Sequence, residues 1–408
     1  MSAQRILIVS SSPLCRNPRV LKEATTLGRS RYDVTVLTIA GRTHDETTDR
    51  ALLEGAPFRK VALPYFGFDG TLGLAAHAGR TLTSIARKLV PLGIERRSAL
   101  GAFHRLYAAV RRTPADLTIA HTELGLAIGS ELLEHGRRVA VDFEDWHSQD
   151  LLPSARRHRP LKLLSAIEQR LLKHANYATT TSHALARALG NLHHRANPVV
   201  IANAFPLQPA PAPRDTIRPP SLFWFSQTIG PGRGLEEFID AWLLTSSTSS
   251  LCLQGEISES YKTELLNRTR TSSKPPIVFQ PLCSPRDLPT QIAKHDIGLA
   301  LESQSPPSRN LTITNKILQY LNAGLAIVAT STEGHREVLQ HEPRAGIFIE
   351  PTDPNRTASL LDALVSAPTA LISMQAASRS LAESTYCWER EEPKLLALVE
   401  QALANRPA

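Results

Sequence analysis

The chain has 408 residues, 42% of them hydrophobic and 21% charged, a length and composition that lead one to expect two globular domains of about 100–200 residues each. Its four cysteines, Cys15, Cys252, Cys283 and Cys387, are far apart with no CxxC pair, which argues against a zinc site or disulfide framework and for a reducing compartment. The formal net charge of +8 suits an anionic membrane surface or phosphorylated small molecules, whereas the basic residues are not interleaved with aromatics as base stacking would need, so nucleic acid is not expected.

In chain order, Ile6–Ser10, Val34–Ile39, Leu117–Ala120, Val139–Phe143, Ala178–Thr181 and Val199–Ile201 are predicted strands of a first domain. Leu222–Phe225, Leu251–Gln254, Ile277–Phe279, Ile297–Leu301, Ala326–Thr330 and Gly346–Ile349 repeat the pattern in a second. These are continuous apolar runs rather than alternating ones, as expected of parallel strands covered on both faces. Helical patterns between them imply right-handed crossovers and doubly wound sheets. The first run is too short for a signal peptide and no run of 18 apolar residues follows, so no membrane span is expected. Pro206–Pro220, with six prolines, interrupts the series and reads as a semi-rigid linker. Two such domains would face each other across a cleft at the carboxyl ends of their strands.

Candidate functional residues cluster at strand ends. Ser11-Ser12-Pro13 leads from the first strand toward a helix at Val20, a place where backbone amides, Ser12 among them, can meet a phosphate or sugar. No GxGxxG is present, which leaves a nicotinamide dehydrogenase poorly supported. Residues 79–112 carry eight arginines and lysines among apolar residues. They read either as basic amphipathic helices with a solvated face or as a surface for an anionic leaflet or lipid-linked acceptor. His121 ends one strand. Asp142, Glu144, Asp145 and His147 follow another, where a carboxylate can accept from sugar hydroxyls or handle a proton; an acid-rich helix start is the plainer reading. His193-His194, without acidic or cysteine partners at ligand spacing, is expected at the surface.

In the second domain a strand runs into Gly230-Pro231-Gly232-Arg233-Gly234 and then a helix. Glycines such as Gly232 admit a ligand close to the backbone, and Arg233 would add its charge to the helix start. Asn315-Lys316 opens another helix that carries Gln319 and ends at Gly324. Two cations from two helix starts in one domain can grip the same diphosphate.

With Asn17-Pro18-Arg19-Val20, Gly232-Arg233-Gly234-Leu235, Asn315-Lys316, Tyr320-Leu321-Asn322-Ala323-Gly324, Glu333-Gly334-His335-Arg336-Glu337-Val338 and Tyr386-Cys387-Trp388-Glu389 in this order, the chain resembles the GT-B nucleotide-sugar glycosyltransferases, in particular the retaining family 4 (group 1). The resemblance covers nearly the whole chain. It implies an α/β GT-B fold with an acceptor-side domain over 1–205, a linker over 206–220 and a nucleotide-sugar-binding domain over 221–385. A final helix, 386–408, would cross back onto the first domain. It also implies catalysis by Arg233 and Lys316 at the donor diphosphate with Glu144 and Asp145 on the acceptor side. Ser12, His121, Asp142, His147, Gly232, Asn315 and Gln319 would bind substrate. Neither metal nor cofactor is expected. The donor would be a nucleoside diphosphate sugar and the acceptor a glycan, a lipid-linked sugar or a small molecule. The location would be cytoplasmic, with peripheral contact through 79–112 at the inner face of a membrane. Two positions depart from the family: Gln319 stands where a ribose-binding Glu is usual, and Leu311 where its spaced partner Glu falls. Glu144 stands where many relatives carry His. A GT-B epimerase or a non-catalytic sugar-nucleotide-binding partner protein would use the same residues without an acceptor.

Overall fold

The computed structural model describes residues 3–64, 74–151, 153–211, 218–270 and 272–404. Thirteen strands are present among them: β1 (Arg5–Val9), β2 (Asp33–Ile39), β3 (Arg59–Leu63), β4 (Leu117–Ala120), β5 (Val139–Phe143), β6 (Tyr177–Thr180), β7 (Val199–Val200), β8 (Ser221–Ile229), β9 (Ser250–Ile257), β10 (Val278–Gln280), β11 (Ile297–Ala300), β12 (Ala326–Thr330) and β13 (Gly346–Ile349). They form two sheets, in the orders β3-β2-β1-β4-β5-β6-β7 and β10-β9-β8-β11-β12-β13. The pairings between neighbours are parallel. Each sheet reverses direction beside its first strand, β1 or β8, where open parallel sheets place ligands. Both are Rossmann-like, as the apolar runs predict.

The chain divides into two compact units, Met1–Ile201 with Glu392–Ala408, and Ala202–Glu391. The division falls at Ile201, ahead of the proline-rich stretch. Residues 212–217 of that stretch lie outside the described residues. The part before them is fastened to the second unit. Asn322 Nδ2 donates to Pro206 O at 2.8 Å, Asn322 Oδ1 accepts from Gln208 N at 3.0 Å, and Arg379 Nη2 donates to Gln208 O at 2.7 Å. Trp388 N donates to Phe205 O and Glu389 accepts from Leu207 N, both at 3.0 Å. The Asn-Ala-Gly and Trp-Glu motifs thus pin the segment by which the chain enters the second unit. Of the predicted final helix, 386–408, residues 405–408 also lie outside the described residues.

Alternation along β8 shows why its apolar run is continuous. Leu222 and Trp224 enter a core with Phe238, Ile239 and Trp242, while Phe223 enters another with Ile317, Tyr320 and Leu321. Helices therefore cover both faces of this sheet. In the first unit, helix Pro18–Arg29 is started by Asn17, whose Oδ1 accepts from Arg19 N and Val20 N at 3.1 Å, with Pro18 preset for the first turn. His193, expected at the surface, is buried with Nε2 3.5 Å from Glu168, whereas His194 is exposed at the helix end.

Helix Asn315–Asn322 lies close on β11 because Gly298 has no side chain. A Cβ there would stand 2.3 Å from the Tyr320 ring, which is fully buried. Gly298→Ala must push this ring, and the helix that bears Lys316, off the sheet. We expect a loss of about 1–3 kcal/mol in chemical unfolding, whereas unchanged stability would mean that the helix is not seated by this contact.

Candidate functional site

Each unit gathers charged residues at the carboxyl ends of its strands. In the first, Arg19 is fully buried. Its Nε and Nη2 donate to Asp142 Oδ2 at 2.7 and 2.6 Å, and its Nη1 to Ile201 O at 2.6 Å. Asp142 also accepts from Thr179 Oγ1 at 2.9 Å. Burial alone would raise the Asp142 pKa, but Arg19, with His121 beside it, outweighs this and holds it below the ordinary value. Fully buried and bonded in this way, Asp142 Oδ2 is the counter-ion of Arg19, while its Oδ1 is buried with no hydrogen-bond partner among the described residues.

His121, equally buried, sits between two carboxylates, with Nε2 2.7 Å from Glu23 and Nδ1 2.8 Å from Glu144. Burial would lower its pKa, but Glu23 and the bonds to both carboxylates raise it well above the usual value. An imidazolium donating from both nitrogens is the state that this geometry favours. Glu144 Oε1 also accepts from Asn17 Nδ2 at 3.0 Å, and its side chain remains 18% exposed. These bonds join Arg19 and His121 to Glu23, Asp142 and Glu144, and of the three carboxylates Glu144 is the one open to solvent.

Glu23, His121 and Asp142 have ligand atoms within 4.8 Å of one another. Arg19 already neutralises Asp142, and an imidazolium does not ligate a cation, so the residues fit a charge network better than a metal site. Asp145 is exposed. His147 is half-buried, its Nε2 has no partner among the described residues, and burial lowers its pKa. Ser12 donates its backbone N–H to Ser10 Oγ at 3.2 Å.

In the second unit β8 ends in the turn Gly230-Pro231-Gly232-Arg233-Gly234, and helix Leu235–Leu244 begins directly after it. Gly232 and Gly234 have φ of 79° and 73°, a backbone region costly for any residue with a Cβ. Arg233, between them, is aimed by this turn rather than by a helical first turn. Arg309 Nη1 donates to Gly232 O at 3.1 Å and braces it.

Lys316 lies in the first turn of helix Asn315–Asn322, its side chain only 8% exposed and its Nζ 5.3 Å from the Trp224 ring. Both cations face one carboxylate. Glu302 Oε2 is 3.5 Å from Arg233 Nη1 and 3.7 Å from Lys316 Nζ. Burial pushes the Lys316 pKa down, Glu302 opposes it, and Arg233 and Arg309 add to the lowering. Asn315 Oδ1 accepts from Asn203 Nδ2 at 2.7 Å, and Gln319 is half-buried one turn further along the helix. His335 donates from Nδ1 to Thr330 O at 2.9 Å and accepts at Nε2 from Thr314 Oγ1 at 3.1 Å. Burial pushes its pKa down to about 4, so it is neutral. Glu302, Arg309 and Glu23 were not singled out in the sequence. The position of Glu302 directly after an apolar strand was the available signal.

Residues 219–367 match the family model described as glycosyl transferases group 1. The two Rossmann-like sheets give the chain a GT-B fold, and the segment that matches the group 1 model lies in its second unit. HepE of Anabaena in complex with UDP and glucose is similar in fold, with a TM-score of 0.70 at 16% identity over 97% of this chain and 99% of that one. So is the same protein in complex with UDP-glucose, with a TM-score of 0.69 at 15% identity over 97% and 99%. A variant of TarM from S. aureus in complex with fondaparinux, alpha-GlcNAc-glycerol and UDP gives a TM-score of 0.68 at 10% identity, over 98% of this chain and 100% of that one. Comparison of the sequence with curated proteins finds no match.

The buried Arg19–Asp142 pair makes a clear prediction. Asp142→Ala leaves Arg19 uncompensated in the core and should cost about 3–5 kcal/mol. The double change Arg19→Met with Asp142→Leu should lose much less. Denaturant unfolding of both variants checks this, and equal losses would contradict the pairing.

Proposed function

We propose that the protein transfers a sugar from a nucleoside diphosphate sugar to the hydroxyl of a glycan, lipid-linked or small-molecule acceptor, with retention of configuration, in polysaccharide or glycoconjugate synthesis. The observation that carries this reading is the convergence of Arg233 and Lys316 on one point, 3.5 and 3.7 Å from the same carboxylate oxygen. In the reaction the bond from the anomeric carbon to the phosphate oxygen breaks, and the acceptor oxygen bonds that carbon on the same face. The acceptor proton leaves with the nucleoside diphosphate. Negative charge grows on the departing phosphate, and two preorganised cations stabilise it. These side chains supply the charge needed, so activity should persist in a chelator. That UDP or UDP-glucose occupies proteins of like fold supports the choice of donor class. Asn315 and Gln319, on the same helix as Lys316, are the candidates for the rest of the donor. Gln319 can donate and accept hydrogen bonds but brings no charge. We assign Glu144, the exposed end of the buried network, to the acceptor hydroxyl.

The basic segment supports a second element of the reading. Helix Phe103–Arg112 buries Phe103, Leu106 and Val110, so its apolar face belongs to the core. Around helix Leu74–Leu89, by contrast, Leu82, Ile85, Leu92 and Ile94 are 46%, 51%, 73% and 42% exposed, with Arg80, Lys88 and Arg96 exposed among them. Among the described residues no single helix is long and apolar enough to cross a membrane. We infer that this face rests on an anionic leaflet, its side chains entering the interface while the cations meet lipid headgroups.

Both parts can be measured. Mass spectrometry of products from a panel of nucleotide sugars identifies the donor. With it, Arg233→Ala and Lys316→Ala should each lower kcat on the order of a hundredfold or more, and Gln319→Ala should mainly raise KM. Near-normal turnover in folded alanine variants would contradict the diphosphate assignment. Turnover of donor without any acceptor would indicate an epimerase, and binding without turnover a non-catalytic partner. Flotation with anionic vesicles should carry the protein at low salt and release it at high salt, and failure to float at low salt would leave 79–112 as a solvated surface.

A further inference from the structure

Glu302 has no place in the sequence pattern, yet it is the best-fastened residue of the second unit's charge cluster. Its backbone N–H donates to Thr330 Oγ1 at 2.9 Å, and Thr330 Oγ1 donates back to Glu302 O at 2.8 Å. The residue is thereby locked to the ends of β11 and β12. Its side chain is 6% exposed. Oε2 faces Arg233 and Lys316, and Oε1 is buried with no partner among the described residues. On charge alone this carboxylate is misplaced, because it lies beside the two cations meant for an anion and should repel that ligand. A buried carboxylate is costly unless it is paired.

Here the pairing is loose. Both contacts, at 3.5 and 3.7 Å, are longer than a charge-assisted hydrogen bond of about 2.7–2.9 Å. The cations are therefore drawn together without being saturated, and most of their donors stay available. Without an anion between them, two cations at this spacing would turn apart. We propose that Glu302 is a positioning residue of the donor site, holding Arg233 and Lys316 side by side so that an incoming diphosphate meets both at once. The inference rests on the donor reading given above and deepens it.

A second consequence concerns pH. The charged or titratable groups around the Lys316 ammonium are Glu302 after β11, Arg233 in the glycine turn, Arg309 in helix Pro307–Leu311 and His335 in helix Glu333–Leu339. His335 is neutral, and both arginines favour loss of the Lys316 proton, as does burial. Among these groups only Glu302 holds that proton on. Removing its charge should let Lys316 deprotonate at a lower pH.

The test is UDP binding by calorimetry from pH 7.5 to 10, where the UDP phosphates are already ionised. Glu302→Gln removes a negative charge from an anion site, so simple electrostatics predicts tighter binding. Positioning predicts the reverse, about tenfold weaker binding at pH 7.5 and a fall-off beginning at lower pH than in the parent protein. Glu302→Asp keeps the charge but withdraws it by one methylene. It should weaken binding at pH 7.5 while leaving the pH of the fall-off in place, which keeps the proposal testable if Glu302→Gln folds poorly. Unchanged or tighter binding in either folded variant would overturn it. Parent protein that bound none of UDP, GDP, ADP and dTDP would instead contradict the donor reading itself.

Discussion

The second unit depends on bringing two buried or half-buried cations to one point. Like charges at such spacing repel, and burial penalises the lysine further. The fold meets this constraint from three separate segments. The glycine turn after β8 aims Arg233, close seating of Tyr320 on Gly298 places the helix that bears Lys316, and Glu302 after β11 supplies the anion. None of the three is adjacent in sequence, but all stand at the carboxyl ends of neighbouring strands in one sheet. A parallel sheet makes this possible because each crossover returns the chain to the same edge.

The first unit handles buried charge in the opposite way. Arg19 is fully bonded to Asp142 and Ile201, and His121 to Glu23 and Glu144. Every nitrogen of His121 and two arms of Arg19 are occupied, so this network sets shape and leaves one carboxylate, Glu144, at its rim. The two clusters thus differ in what they leave open. One leaves cation donors available, and the other a carboxylate.

Much of the architecture was legible because strands covered on both faces need continuous apolar residues. The runs at 117–120, 139–143, 326–330 and 346–349 were read with the bounds that the structure shows. β3 was missed. It is an edge strand that opens on Arg59 and Lys60 and is only partly buried, so it lacks the apolar signal. β8 and β9 were read short because their last residues, such as Ser226, Gln227 and Glu256, are polar. At the site, residue type revealed the cations Arg233 and Lys316 but not the partners that tune them. The bond of Asp142 to Arg19 spans 123 residues, a separation no local pattern encodes. Glu302 offered only its place directly after an apolar strand: its role depends on segments far apart in the chain that meet around it.

The central claim is that Arg233 and Lys316 together form the diphosphate site of a glycosyltransferase. Its most direct test is a crystal structure of the protein with UDP bound. The account predicts phosphate oxygens within hydrogen-bond distance of both the Arg233 guanidinium and the Lys316 ammonium, in front of the 230–234 turn. A diphosphate bound elsewhere, or held by neither side chain, would contradict it.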